Sequence, residues 1–90
     1  MITVLFFATF REHTGEKETT AEGVSSIEEL LRLLSQRYGT TFEDEVFEGE
    51  ALSSQVIIMV NGRHVAHTGG ASTPLQDGET VAIFPLLGGG

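Results

Sequence analysis

The segment that most restricts the fold is the first. Ile2 to Ala8 reads Ile-Thr-Val-Leu-Phe-Phe-Ala, a β-branched and aromatic run with Ile2, Val4 and Phe6 on one face of a strand and Leu5 and Phe7 on the other. A strand that is apolar on both sides is either central and covered twice, or leaves one face for a partner. The chain has 90 residues, enough for one domain with a modest core, and it has no cysteine to supply a disulfide. The missing cysteine also removes thiolate nucleophiles, iron–sulfur ligation and Cys-type zinc sites, and suits a reducing compartment.

Thr9 to Thr14 is spaced for one helical turn ahead of Gly15, a corner leading into a polar, threonine-bearing edge strand, Lys17 to Glu22. Ser25-Ser26-Ile27-Glu28-Glu29 is a doubled capping box, with either serine able to cap. The helix it starts carries Ile27, Leu30, Leu31, Leu34 and Tyr38 on one face, with Gly39 where a left-handed cap is expected. Glu28 and Glu29 at its start and Arg32 and Arg37 further along suit the macrodipole. Phe42 to Leu52 mixes apolar residues with Glu43, Asp44, Glu45, Glu48 and Glu50, and reads as a short surface helix or an irregular loop. Gln55 to Val60 is a buried-type strand, Asn61-Gly62 a hairpin turn and Arg63 to Ala66 the return strand. Gly69 to Pro74 reads as a loop, Asp77-Gly78 as a turn and Thr80 to Phe84 as the last strand.

This order predicts an α+β domain of the β-grasp, ubiquitin-like type: a mixed sheet of about five strands with one main helix on one face. The first and last strands are then parallel neighbours at the centre. Ile2, Val4 and Phe6 pack under the helix, and Leu5 and Phe7 are left on the open face. Residues 1–84 form the domain and residues 85–90 a flexible C-terminal tail ending in Gly-Gly-Gly.

The net charge of −8, from 13 acidic and 5 basic residues, argues against nucleic acid as a direct partner, since phosphate binding needs clustered cations and Lys17 is the single lysine. The apolar N-terminal run lacks a basic leader and a cleavage site, and no stretch approaches the roughly 20 residues of a membrane span. The expected location is cytoplasmic, with no membrane partner. His13, His64 and His67 lie in or near turns at no metal-motif spacing, and His64 and His67 are expected to point to opposite faces of a strand. No Gly-x-Ser-x-Gly, phosphate-loop, dinucleotide or calcium-loop pattern is present, so the chain is expected to bind no metal or cofactor and not to be an enzyme. The last residues, Leu86-Leu87-Gly88-Gly89-Gly90, place a carboxylate on a slender stalk that fits a channel too narrow for side chains. The same residues also read as an inert end.

Met1 to Gly15 resembles the start of the molybdopterin synthase small subunits and the related small archaeal modifiers, the MoaD/SAMP family. Val60-Asn61-Gly62 resembles their hairpin, and Leu75 to Pro85 with the closing Gly89-Gly90 resembles their last strand and tail. The resemblance implies a sulfur carrier or protein modifier. A ubiquitin-activating-type adenylyltransferase uses ATP to turn the Gly90 carboxylate into an acyl-adenylate. Sulfur from a persulfide then gives a thiocarboxylate, the donor for molybdopterin or tRNA thiolation, or a lysine amine attacks to form an isopeptide bond. The implied second partner is the large subunit of molybdopterin synthase or a conjugation target, and the free chain is expected to be a monomer.

Matched position by position, Phe7 and Phe84 dock against partners, and the strand pattern independently puts Phe7 on the open face. Arg11 reaches for an acidic partner group. Pro85, Leu86, Leu87, Gly88 and Gly89 form the segment a partner grips, with Leu86 and Gly88 replacing a proline and a larger residue, which loosens this tail. His64 stands where an apolar docking residue is expected. Lys17 is the only side-chain acceptor if the protein forms chains with itself. The alternative is a non-catalytic interaction module of the same fold with an inert tail.

Overall fold

The computed structural model of the chain describes residues 1–86. Strand β1 (Ile2–Phe6) is hydrogen-bonded along both edges, which makes it an inner strand. One edge pairs antiparallel with β2 (Glu18–Ala21), reached through helix α1 (Thr9–Thr14). Helix α2 (Ile27–Tyr38), helix α3 (Thr40–Val46) and a small hairpin of β3 (Phe47–Glu48) and β4 (Ala51–Leu52) follow. The chain then returns to the sheet as β5 (Val56–Val60), β6 (Arg63–His64) and β7 (Thr80–Pro85). The five strands of the main sheet lie in the order β2-β1-β7-β5-β6, with β1 and β7 parallel. This is the β-grasp arrangement expected from the element order.

The covered face of the sheet is the core. Ile2, Val4, Phe6, Val81, Ile83 and Ile58 meet Ile27, Leu30, Leu31 and Leu34 of α2, all at 3% exposure or less. Burying each large apolar side chain contributes roughly 1.5–3 kcal/mol, so this face holds most of the fold together. The capping ambiguity resolves in favour of Ser26, whose Oγ accepts from the Glu29 amide at 3.2 Å. The Glu29 carboxylate reaches back one residue further and accepts from the Ser25 amide at 2.8 Å. At the β5–β6 hairpin Asn61 and Gly62 both have positive φ, 49° and 85°, as a type I′ turn requires.

Four local expectations need correction. Gly39 has positive φ (99°), but its ψ of −172° is extended and not left-handed helical. That backbone, open essentially to glycine alone, redirects the chain from α2 straight into α3. Of the two forms expected for Phe42 to Leu52, the short surface helix is present as α3, followed by the β3–β4 hairpin, and the helix is anchored more firmly than a surface element. Phe42 and Val46, one helical turn apart on α3, are fully buried, and Phe42 stacks against Phe6, Phe10 and Tyr38.

The return strand expected at Arg63–Ala66 stops at His64, because Val65 drops into the core and starts a 3₁₀ turn, Val65–His67. A 3₁₀ turn aligns residues three apart. His64 and His67 are therefore neighbours, with ring centroids 5.7 Å apart, and not on opposite faces. Finally, β7 runs past the boundary expected at residue 84. Pro85 pairs with Val56, and the Leu86 amide donates to the Gln55 carbonyl at 2.9 Å. Proline is tolerated here because it stands at a strand end. The flexible tail expected from residue 85 thus loses its first two residues to the sheet, and Leu87, Gly88, Gly89 and Gly90 lie outside the described residues. Among the described residues no helix is long and apolar enough to cross a membrane.

Candidate functional site at the end of the central strands

Because β1 and β7 are parallel, they finish at the same end of the sheet. The Phe7 amide donates to the Ile83 carbonyl at 3.1 Å, which carries the ladder one residue beyond β1 and sets Phe7 beside Phe84. Their rings meet edge to face, with centroids 5.5 Å apart and planes at 83°. Phe7, Ala8, Phe84 and Pro85 line an open, apolar groove of about 400 Å³. Immediately past it stands Leu86, 43% exposed.

The groove is held from behind by α1. Phe10 is buried in the core, and its amide donates to the Phe7 carbonyl at 3.1 Å, so the chain turns sharply after β1. Arg11 donates from Nε to the Phe6 carbonyl at 2.9 Å and lays its guanidinium 5.4 Å from the centre of the Phe7 ring. Arg11, expected from the sequence to reach an acidic partner group, thus has an internal role, fixing the Phe7 ring.

The open face continues across the sheet. Leu5 opposes Ala82, Ala82 opposes Met59 and Met59 opposes His64, so these four share one side, all half-buried. The structure therefore puts His64 on the same face as the groove, at its far edge. Lys17 is exposed, and its carbonyl accepts from the Phe6 amide at 2.9 Å, which places it at the same end of the sheet as Phe7. The expected working residue, Gly90, lies outside the described residues, as do Leu87, Gly88 and Gly89.

Among the described residues no three His, Asp or Glu side chains converge to hold a metal ion. His13 faces Glu45 across α1 and α3, a contact between helices away from the groove. Three groups have displaced pKa values, each from a structural cause. Hydrogen bonds from Ser25 hold Glu29 below the usual carboxylate range, and those from Ser54 and Ser53 do the same for Glu48. Burial raises Tyr38. None of the three lines the groove. One lining residue, Ala8, carries no sequence signal, since alanine is at home in any element.

This end of the sheet presents an open apolar groove next to the point where the chain leaves β7. The proteins this chain is similar to define the class, a ubiquitin-like carrier or modifier on which partner enzymes act. The chain belongs to the ThiS family, whose model matches residues 4–90. It is 36% identical over 87 residues to small archaeal modifier protein 3 of Haloferax volcanii, covering 94% of each chain. It is 29% identical over 92 residues to the sulfur carrier protein CysO of Mycobacterium tuberculosis, covering 99% of this chain and 98% of the relative. In the crystal structure of the Amycolatopsis orientalis BexX/CysO complex, one chain superposes with a TM-score of 0.88 at 28% identity, covering 100% of both. The resemblance to the MoaD/SAMP family, the sulfur carrier or modifier function and the non-catalytic role are thereby borne out.

Proposed function

We propose that the Gly90 carboxylate is the reacting group and that the apolar groove docks the enzymes that act on it. A carboxylate oxygen attacks the α-phosphorus of ATP on a ubiquitin-activating-type adenylyltransferase, pyrophosphate leaves, and Gly90 becomes an acyl-adenylate. The mixed anhydride has a good leaving group where the free carboxylate has none. Hydrosulfide adds to the acyl carbon, AMP departs with its bonding electrons, one proton is released, and a thiocarboxylate remains. A lysine amine in place of hydrosulfide gives an isopeptide bond by the same loss of AMP.

The observation that carries this reading is the position of Pro85: it lines the groove and leads into exposed Leu86, which brings a protein holding the following residues within reach of Phe7 and Phe84. The second partner is the large subunit of molybdopterin synthase or the lysine of a target protein. ATP is used by the activating enzyme, no cofactor is held by this chain, and the reactions are placed in the cytoplasm.

Intact-mass measurement tests the reading. After incubation with the cognate adenylyltransferase, ATP and sodium sulfide, the mass increases by the difference between sulfur and oxygen, and deletion of Gly90 abolishes the change without lowering the melting midpoint. An unchanged mass, where a control carrier is converted, removes the Gly90 carboxylate as the reacting group and favours an interaction module with an inert tail.

A further inference from the structure

Ala8 has φ 53° and ψ −127°, the dihedrals of the first central residue of a type II′ turn. The turn is closed by the hydrogen bond from the Phe10 amide to the Phe7 carbonyl, 3.1 Å. That position is ordinarily glycine, because a Cβ at positive φ meets its own backbone. The other positive-φ residue among the described residues that is not glycine, Asn61, sits in an Asn-Gly hairpin where asparagine is favoured. Ala8 has neither excuse.

The surroundings enforce the strain. Phe7 is pinned to Ile83, Phe10 is buried, and the Arg11 amide donates to the Ala8 carbonyl at 3.0 Å, so the backbone at residue 8 has no slack. Strained backbone persists where the structure around it over-determines the conformation, and it concentrates at functional sites. Glycine would hold this turn with less strain. What alanine adds is one methyl group, and Ala8 lines the groove between Phe7 and the end of β7.

We infer that Ala8 is a recognition residue whose methyl group, held at the cost of backbone strain, shapes the groove for an apolar side chain of the adenylyltransferase. The occupant is the activating enzyme because Pro85, the opposite wall, leads directly into the residues that enzyme must hold. A side chain larger than alanine fills the groove and adds strain; glycine leaves it too wide. The inference rests on the proposed activation of Gly90.

The test is Ala8→Gly, read in thermal unfolding and in ATP–pyrophosphate exchange with the cognate adenylyltransferase. The melting midpoint is expected to rise by about 4–8 °C as the strain is released. The KM for the variant is expected to rise about four-fold, the worth of one buried methyl, with kcat unchanged. A gain in stability with an unchanged or lower KM overturns the inference, as does a fall in the midpoint. A wild-type dimer that Ala8→Gly dissociates in sedimentation also overturns it, by assigning the groove to a second copy. Absence of exchange with the wild-type chain strikes instead at the activation of Gly90, so the two failures are distinct.

Discussion

The edge of one phenyl ring meets the face of the other where Phe7 and Phe84 stand 5.5 Å apart at the shared end of β1 and β7. Phe7 is 37% exposed, so the pair belongs to the surface more than to the core. A double-mutant cycle of Phe7→Ala and Phe84→Ala in urea unfolding is expected to return a coupling of about 0.5–1.5 kcal/mol. Each single variant should stay folded and raise the KM for activation. Wild-type KM in both would remove the groove from the docking surface.

Phe42 makes the opposite prediction. It is fully buried on α3 and contacts three other aromatic rings, so Phe42→Ala should cost about 3–5 kcal/mol in urea unfolding. A loop residue would cost about 0.5 kcal/mol or less. Total stability for domains of this kind is about 5–15 kcal/mol, so the variant should be severely weakened.

Gly39 tests the backbone alone. A Cβ added there meets nothing within 4 Å, yet φ is 99° and ψ −172°. Gly39→Ala should therefore lose about 1–3 kcal/mol through strain and not through a clash. An unaltered urea midpoint would show that the α2–α3 corner can relax.

The capping carboxylate Glu29 sets a pH dependence. Its folded-state pKa lies below the ordinary value of 4.5, chiefly because the Ser25 amide donates to the charged form. A depressed carboxylate pKa stabilises the fold above the unfolded value, and that contribution is lost as pH falls through the folded value. Glu29→Gln should therefore lower the melting midpoint at neutral pH and converge on the wild type under acid conditions, below the ordinary carboxylate range. Parallel curves at all pH values would contradict the assigned hydrogen bond.

Much of the frame is legible in the sequence because its signals are local. Alternation in Ile2 to Ala8, helical spacing from Ile27 to Tyr38 and the Asn61-Gly62 turn each depend on neighbours a few residues away. The open-face position of Phe7 follows from the same alternation. The segment after Gly39 was harder to read because Phe42 and Val46 form a single helical turn among acidic residues, too short a pattern to separate from a loop. The meeting of His64 and His67 was obscured by a 3₁₀ turn that exists because Val65 finds space in the core.

By itself the sequence determined the long strands and the main helix, together with the faces they bury. Only the tertiary structure decided what stands across from what: Phe84 beside Phe7, Arg11 under it, Ala8 forced into a glycine conformation between them. The physical reason is that these contacts are made by β7 closing against β1, long-range pairing that no local pattern records. The turn after Phe7 is then bent by packing at both of its ends, against whatever alanine would prefer on its own.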